Sequence, residues 1–220
     1  WYMISNSQPW DNLKFDVDGV DECRRKFFGT LYNTYSFFAL YANIDGFTGQ
    51  EAEVPIAERP EIDRWILSEL NTLIKDVTKY LEDYDPTPAA RCIDQFVNEN
   101  LSNWYVRLNR KRFWGGELTT DKLAAYQTLY TCLETVVMLA APIAPFISDR
   151  IFCDLNAVSG RHGEESVHLS TFPKCNEELI NSELEAMMQL AQRASSMVLA
   201  LRRKVNIKVR QPLTKIIIPV

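Results

Sequence analysis

Histidine is nearly absent from this chain: His162 and His168 are the only two in 220 residues. No Cys or carboxylate stands around them at metal-ligand spacing, so no metal-binding residue is assigned. The patterns G-x-x-x-x-G-K-[ST], G-x-G-x-x-G and G-x-S-x-G are missing as well. Carboxylates are numerous but scattered over predicted helix surfaces, and none stands out as an acid/base pair. No catalytic residue is assigned. The five cysteines (Cys23, Cys92, Cys132, Cys153 and Cys175) are odd in number, widely spaced and without a C-x-x-C. That excludes a disulfide framework or a zinc site as the organising device. Cys92 and Cys132 lie in apolar helical patterns and read as small core residues.

Long apolar runs are also missing. The longest, TVVMLAAPIAPFI, is shorter than a bilayer span and contains Pro142 and Pro145. The opening WYMISNSQPWD has no basic region followed by an apolar one. The expected location is therefore a reducing cytoplasm. The chain starts in mid-pattern without an initiator Met and stops inside TKIIIPV, which reads as a piece of a longer protein. Glycine and proline are sparse, with 8 and 10 residues, and no segment is of low complexity.

What the chain does have is concentrated positive charge. Its formal charge is −5, yet residues 101–115 hold no Asp or Glu and carry Arg107, Arg110, Lys111 and Arg112. Aromatics flank them: Trp104, Tyr105, Phe113 and Trp114. A second acid-free stretch, 193–215, carries Arg193, Arg202, Arg203, Lys204, Lys208, Arg210 and Lys215. Guanidinium groups beside π-faces suit phosphates and unstacked bases. Local potential, not net charge, governs such contact. A helix C-terminus favours cations too, which alone would account for one or two of the first cluster. Helical interaction with acidic protein segments is the alternative of a different class.

Apolar residues recur with a helical period over most of the length. A first helix is predicted from Asp21 to about Ile44 through Phe27, Leu31 and Phe38, interrupted by Gly29 where another helix could approach closely. A second starts at Pro60, with Glu61 and Asp63 favouring its N-terminus, and ends near Tyr84. A third begins with Thr87 as cap and Pro88 in the first turn, and is stopped by Gly115 and Gly116. Its stripe is Ile93, Val97, Leu101, Trp104 and Leu108, which places Trp104 in the core and Phe113 nearly opposite, exposed. A fourth is capped by Thr119 or Thr120 and broken at Pro142 and Pro145. A fifth follows in PFISDRIFCDL, and a last long helix begins near Ser182. The expected fold is all-α: an antiparallel bundle of about five to six helices with a short terminal β-strand at Lys215–Val220. Residues 1–18 read as irregular.

The runs PEIDRWILSELNTLI, LSNWYVRLNRKRFW and APIAPFISDRIF, with SVHLSTFP, resemble the helical anticodon-binding domain of class I aminoacyl-tRNA synthetases of the isoleucine, valine and leucine group. Within that group FFGTLYNTYSFFALYANIDGF resembles the isoleucine branch most closely, with the valine branch as the nearer alternative. The resemblance covers nearly the whole chain. It implies that residues 1–18 are the tail of a stem-contact region, 19–206 the anticodon-binding bundle, and 207–220 the start of a truncated C-terminal module. The family's His-Ile-Gly-His and Lys-Met-Ser-Lys-Ser signatures do not occur here, so catalysis is expected elsewhere in a parent enzyme. That parent joins isoleucine to its tRNA with ATP and Mg2+, and no cofactor is expected in this segment. The implied partner is tRNA(Ile), through its anticodon stem-loop, with neither DNA nor membrane. On this resemblance Arg107, Arg110, Lys111 and Arg112 contact phosphates and sugars, and Phe113 or Trp114 stacks on a loop base. Arg202, Arg203, Lys204, Lys208 and Arg210 supply a second wall.

Overall fold

The computed structural model describes residues 1–215 and residue 217, in two compact units, Trp1–Ile180 and Asn181–Val220. All regular structure among the described residues is helical. The strand expected at Lys215–Val220 falls largely on residues outside that set, and Lys215 and Ile217 are not in a strand.

In the first unit the chain runs through α1 (Tyr2–Asn6), α2 (Val17–Cys23) and a wide π-type stretch, Arg24–Phe28, that continues into α3 (Gly29–Asp45). Then come α4 (Glu61–Glu82), α5 (Pro86–Gln95), a second π-type stretch (Phe96–Val106) and α6 (Arg107–Phe113). The unit ends with α7 (Thr120–Ala140), α8 (Pro145–Ser159) and a loop-rich segment. The second unit contributes α9 (Ser182–Lys204). Helices joined through π stretches form single rods, so the described residues hold one rod beyond the five to six expected. It is α1, in the stretch read as irregular.

Local chemistry explains the boundaries. α2 starts at Val17 because the Asp16 carboxylate accepts from the backbone N–H groups of Asp18 and Gly19, both at 3.2 Å. The sequence-based start at Asp21 missed this cap. Thr119 caps α7 as expected, accepting from Lys122 N. α7 stops before Pro142 and α8 restarts at Pro145, as the two prolines require. Thr87 is a correction. It lies inside α5, and its hydroxyl donates to the carbonyls of Ile4 and Ser7 at 2.8 and 3.1 Å, docking α1 onto α5. Gly29 is another: a Cβ there would meet only the Arg24 carbonyl oxygen, so no neighbouring helix approaches it.

The core lies between α3, α4, the α5–α6 rod, α7 and α8. α4 buries Trp65, Ile66, Leu70, Leu73, Ile74 and Val77 on one face. α7 is buried nearly all round. It is long and apolar enough to cross a membrane, but 78% of its most apolar window is covered by the bundle, as befits a central core helix. Phe38, Phe47, Phe113 and Tyr126 form a connected aromatic cluster, with Phe113 edge-on to Tyr126 at 5.1 Å and Phe47 stacked on Tyr126 at 5.1 Å. Buried Arg59 ties the loop before α4 to α7. It donates to the Val54 carbonyl at 2.9 Å and to Thr128 Oγ1 at 3.0 Å. Cys132 is buried and Cys92 half-buried, and all five thiols are free.

In the second unit, Asn181 caps α9 by accepting from Leu184 N at 3.0 Å. Leu184 is buried, while Met187 and Val205 are exposed.

Candidate nucleic-acid interface

The α5–α6 rod sets the geometry of the first basic cluster. Ile93, Val97, Leu101, Tyr105, Asn109 and Phe113 are all buried, at a constant spacing of four residues. An ideal α-helix turns about 100° per residue, so Phe113 would sit about 200° round from Ile93. The π-type stretch between them turns less per residue and absorbs that difference. This corrects two sequence-based assignments. Trp104 is only half-buried and Leu108 exposed, because the inward face has moved on to Tyr105 and Asn109. Phe113 has no exposed surface, packs on Phe37 and Tyr126, and cannot stack on a base.

The same rotation divides the cations. Arg112 turns towards the core, where its guanidinium uses all five N–H donors. Nη1 donates to Asp63 Oδ1 at 2.6 Å and to Asn109 Oδ1 at 3.1 Å. Nη2 donates to Asp63 Oδ2 and to the Asp121 carbonyl, both at 2.8 Å, and Nε to Asp121 Oδ2 at 3.0 Å. Asp63 has no exposed surface and also accepts from Tyr105 OH at 2.8 Å. Burial works against the Arg112 charge, but the Asp63 carboxylate outweighs it and lifts the guanidinium pKa above its ordinary value. Burial first, then Asp63, pushes the Tyr105 phenol well up. Arg112 is therefore a clamp joining α4, α6 and α7, not a free phosphate ligand.

A second buried cation completes the frame. Lys122 Nζ pairs with Asp45 at the end of α3 and donates to the Gly115 carbonyl at 3.1 Å, fixing the turn that follows α6. Tyr126 OH donates to the same carboxylate. Burial tends to raise the Asp45 pKa, yet Lys122 and then Tyr126 hold it below the usual carboxylate range. The glycine at 115 is required, since its φ is +56°.

Outside this frame stand Arg107, Arg110, Lys111 and Trp114, at positions i, i+3, i+4 and i+7 of one helix face. All four are exposed, Trp114 by 52%, and among the described residues the three cations have no carboxylate partner. They also sit at a helix C-terminus, where the dipole tolerates their mutual repulsion. An unpaired cationic face with an exposed indole can hold phosphate oxygens and a stacked ring together.

In the second unit Arg202 Nη1 donates to the carbonyls of Lys208, Val209 and Gln211 at 2.8, 3.4 and 2.9 Å. It folds the following segment back onto the end of α9. Arg203, Lys204, Lys208 and Arg210 are exposed, and their side chains have no partner among the described residues.

Sequence reasoning missed Asp63, Asp121, Asp45 and Lys122. Two carried a readable signal. Asp63 is in phase with the buried Ile66, Leu67 and Leu70, and Lys122 with Ala125, Tyr126 and Leu129. A charge on an apolar stripe demands a buried partner of opposite sign.

The chain is also similar to known proteins. Residues 63–218 match a sequence family described as the anticodon-binding domain of tRNA ligase. The chain is 71% identical over 220 residues to the isoleucine–tRNA ligase of Bacteroides thetaiotaomicron, covering all of this chain and 19% of that protein. It is 66% identical over 219 residues to that of Porphyromonas gingivalis, again covering all of this chain and 19% of the relative. It is 46% identical over 216 residues to that of Dehalococcoides mccartyi, covering 98% of this chain and 21% of the relative. The chain thus spans about a fifth of the length of the curated relatives it matches.

Proposed function

Because the chain belongs to the anticodon-binding domain family of tRNA ligases, we propose that it holds the anticodon arm of tRNA(Ile) for an isoleucine–tRNA ligase. The observation that carries this reading is the α6 face, where three exposed cations and an exposed indole share one side of a rod held by two buried ion pairs. Arg107, Arg110 and Lys111 contact phosphate and sugar, which positions the RNA, and Trp114 offers its ring to an unstacked loop base. Arg203, Lys204, Lys208 and Arg210 supply further phosphate contacts. Residues 1–18 would trail from a stem-contact region, 19–206 form the binding bundle, and 207–220 begin a further module.

ATP and Mg2+ belong to the parent enzyme's reaction on this reading. Isoleucine activation is assigned to the parent's other regions, with the whole enzyme in the cytoplasm. The test is binding of purified tRNA(Ile), tRNA(Val) and an unrelated tRNA at several salt concentrations. Tighter binding of tRNA(Ile), weakening steeply with salt, is expected. Equal, salt-insensitive binding of all three would sink the reading, as would isoleucine-dependent pyrophosphate exchange by the pure chain.

A further inference from the structure

α3 packs against the buried side of α6 on one side and lines a cleft on the other. Phe37, on the first side, packs against Phe113 at 5.2 Å. Tyr35, Ala39 and Asn43, on the second side, face α8 and line a cleft of about 80 Å³. Its inner wall is aromatic, with Phe38, Phe47 and Tyr130. Its mouth is polar. Tyr35 OH donates to Asp154 Oδ2 at 3.2 Å, and Arg150 Nε donates to the same oxygen at 3.0 Å. The other oxygen, Oδ1, accepts nothing among the described residues, and the Asn43 amide is likewise unengaged there. The Tyr130 ring carries a guanidinium too: Arg161 Cζ lies 4.3 Å from its centroid. α3 carries no Asp or Glu from Gly29 to Ile44, and its outer side shows Tyr32, Asn33, Leu40 and Ile44 to solvent. Over that span the helix itself offers no negative charge to a nucleic-acid strand.

We propose that the α3–α8 cleft takes the edge of one unstacked nucleobase from the RNA strand held at the α6 face. The proposal rests on the RNA-binding reading above. Rings line the inner wall and polar groups the mouth, an arrangement that suits the edge of one ring. The occupant's chemistry follows from the mouth. A free carboxylate oxygen accepts from an exocyclic amine or ring N–H, as Asp does from cytosine N4. The Asn43 amide offers both a donor and an acceptor. Tyr35 remains a phenol: burial first, then Asp154, pushes its pKa up to about 12. The aromatic wall receives the ring's faces and edges, and Arg150 and Arg161 offset the Asp154 charge for an approaching phosphate. An aliphatic side chain of a partner protein would fill the same wall but make no use of Asp154 Oδ1 or the Asn43 amide.

The probe is a synthetic anticodon stem-loop of tRNA(Ile), intact and with each loop base in turn replaced by an abasic ribose. The chain should bind the intact RNA, and one abasic position should weaken it about tenfold or more. Ala39→Leu fills the cleft. It should weaken the intact RNA by a similar factor and abolish the penalty at that one position, with thermal unfolding unchanged. Should Ala39→Leu disturb folding, Asn43→Ala at the exposed rim gives the same reading with a smaller factor. Retention of every abasic penalty in a folded variant overturns the cleft assignment while leaving RNA binding by the domain intact. Absence of binding by the unaltered chain overturns both. Penalties that vanish at all positions together point to general loss of the complex and count against the cleft.

Discussion

Lys111 and Arg112 are neighbours in the chain with opposite circumstances. Lys111 stands in solvent with Arg107 and Arg110, unpaired. Arg112 is largely buried, with every donor occupied by Asp63, Asp121 and Asn109. Lys122 belongs with Arg112, and Trp114 belongs with Lys111. Phe113, between the two, is fully covered. The comparison shows that a run of basic and aromatic residues is not one functional unit. Every member on the inward face builds the frame, and every member on the outward face is available to a ligand. The exposed cations keep their geometry because the buried ones fix the last turns of the rod.

The largest effects should come from the frame. Asp63→Ala leaves the largely buried Arg112 guanidinium with only the exposed Asp121 carboxylate and should destabilise the fold by about 3–5 kcal/mol, read as a lower urea midpoint at unchanged slope. Phe113→Ala removes a fully buried ring and should cost about 3–5 kcal/mol. Trp114→Ala should leave unfolding almost unmoved while weakening RNA binding by about 1–3 kcal/mol. Similar stability losses at 113 and 114 would erase the distinction between the two faces. Triple replacement of Arg107, Arg110 and Lys111 by Ala should shift stability by no more than about 0.5 kcal/mol per site. The logarithmic salt slope of RNA binding should fall by roughly 0.7–0.9 for each phosphate that is no longer neutralised. The smallest effect concerns acid. The folded-state pKa of Asp45 is depressed, so its stabilising contribution is present above the ordinary carboxylate pKa and is lost as pH falls below it. Asp45→Asn should flatten the acid limb of a stability–pH curve, and an unchanged limb would remove Asp45–Lys122 from the frame.

Much of the bundle was legible in the sequence because amphipathic periodicity and punctuation by Pro and Gly are local. α4, α7 and the break at Pro142 and Pro145 fall where the pattern places them. The inward face beyond Leu101 was not legible. Counting at 100° per residue leads to Trp104 and Leu108, and nothing local announces a π-type stretch. Only the competition among tertiary partners for Tyr105, Asn109 and Phe113 decides it. The cationic cluster was visible, but its division was not. Arg112 reads like its neighbours until Asp63, 49 positions earlier, is brought beside it. The clue lay on α4, in a carboxylate set on an apolar stripe.

The wide stretch Phe96–Val106 also makes the spacing of this chain unforgiving. Five turns at four residues each use about two residues more than an α-helix would need. Losing a single residue there would act like a frameshift read in three dimensions. Every position beyond it would swing by about 100°, carrying Arg107, Arg110 and Trp114 into the buried places of Val106, Asn109 and Phe113. Point substitutions on the α6 face are cheap, whereas changes of length just upstream are not. In variants of this domain, the residue count between Ile93 and Phe113 should hold more firmly than the identity of any one cation it positions.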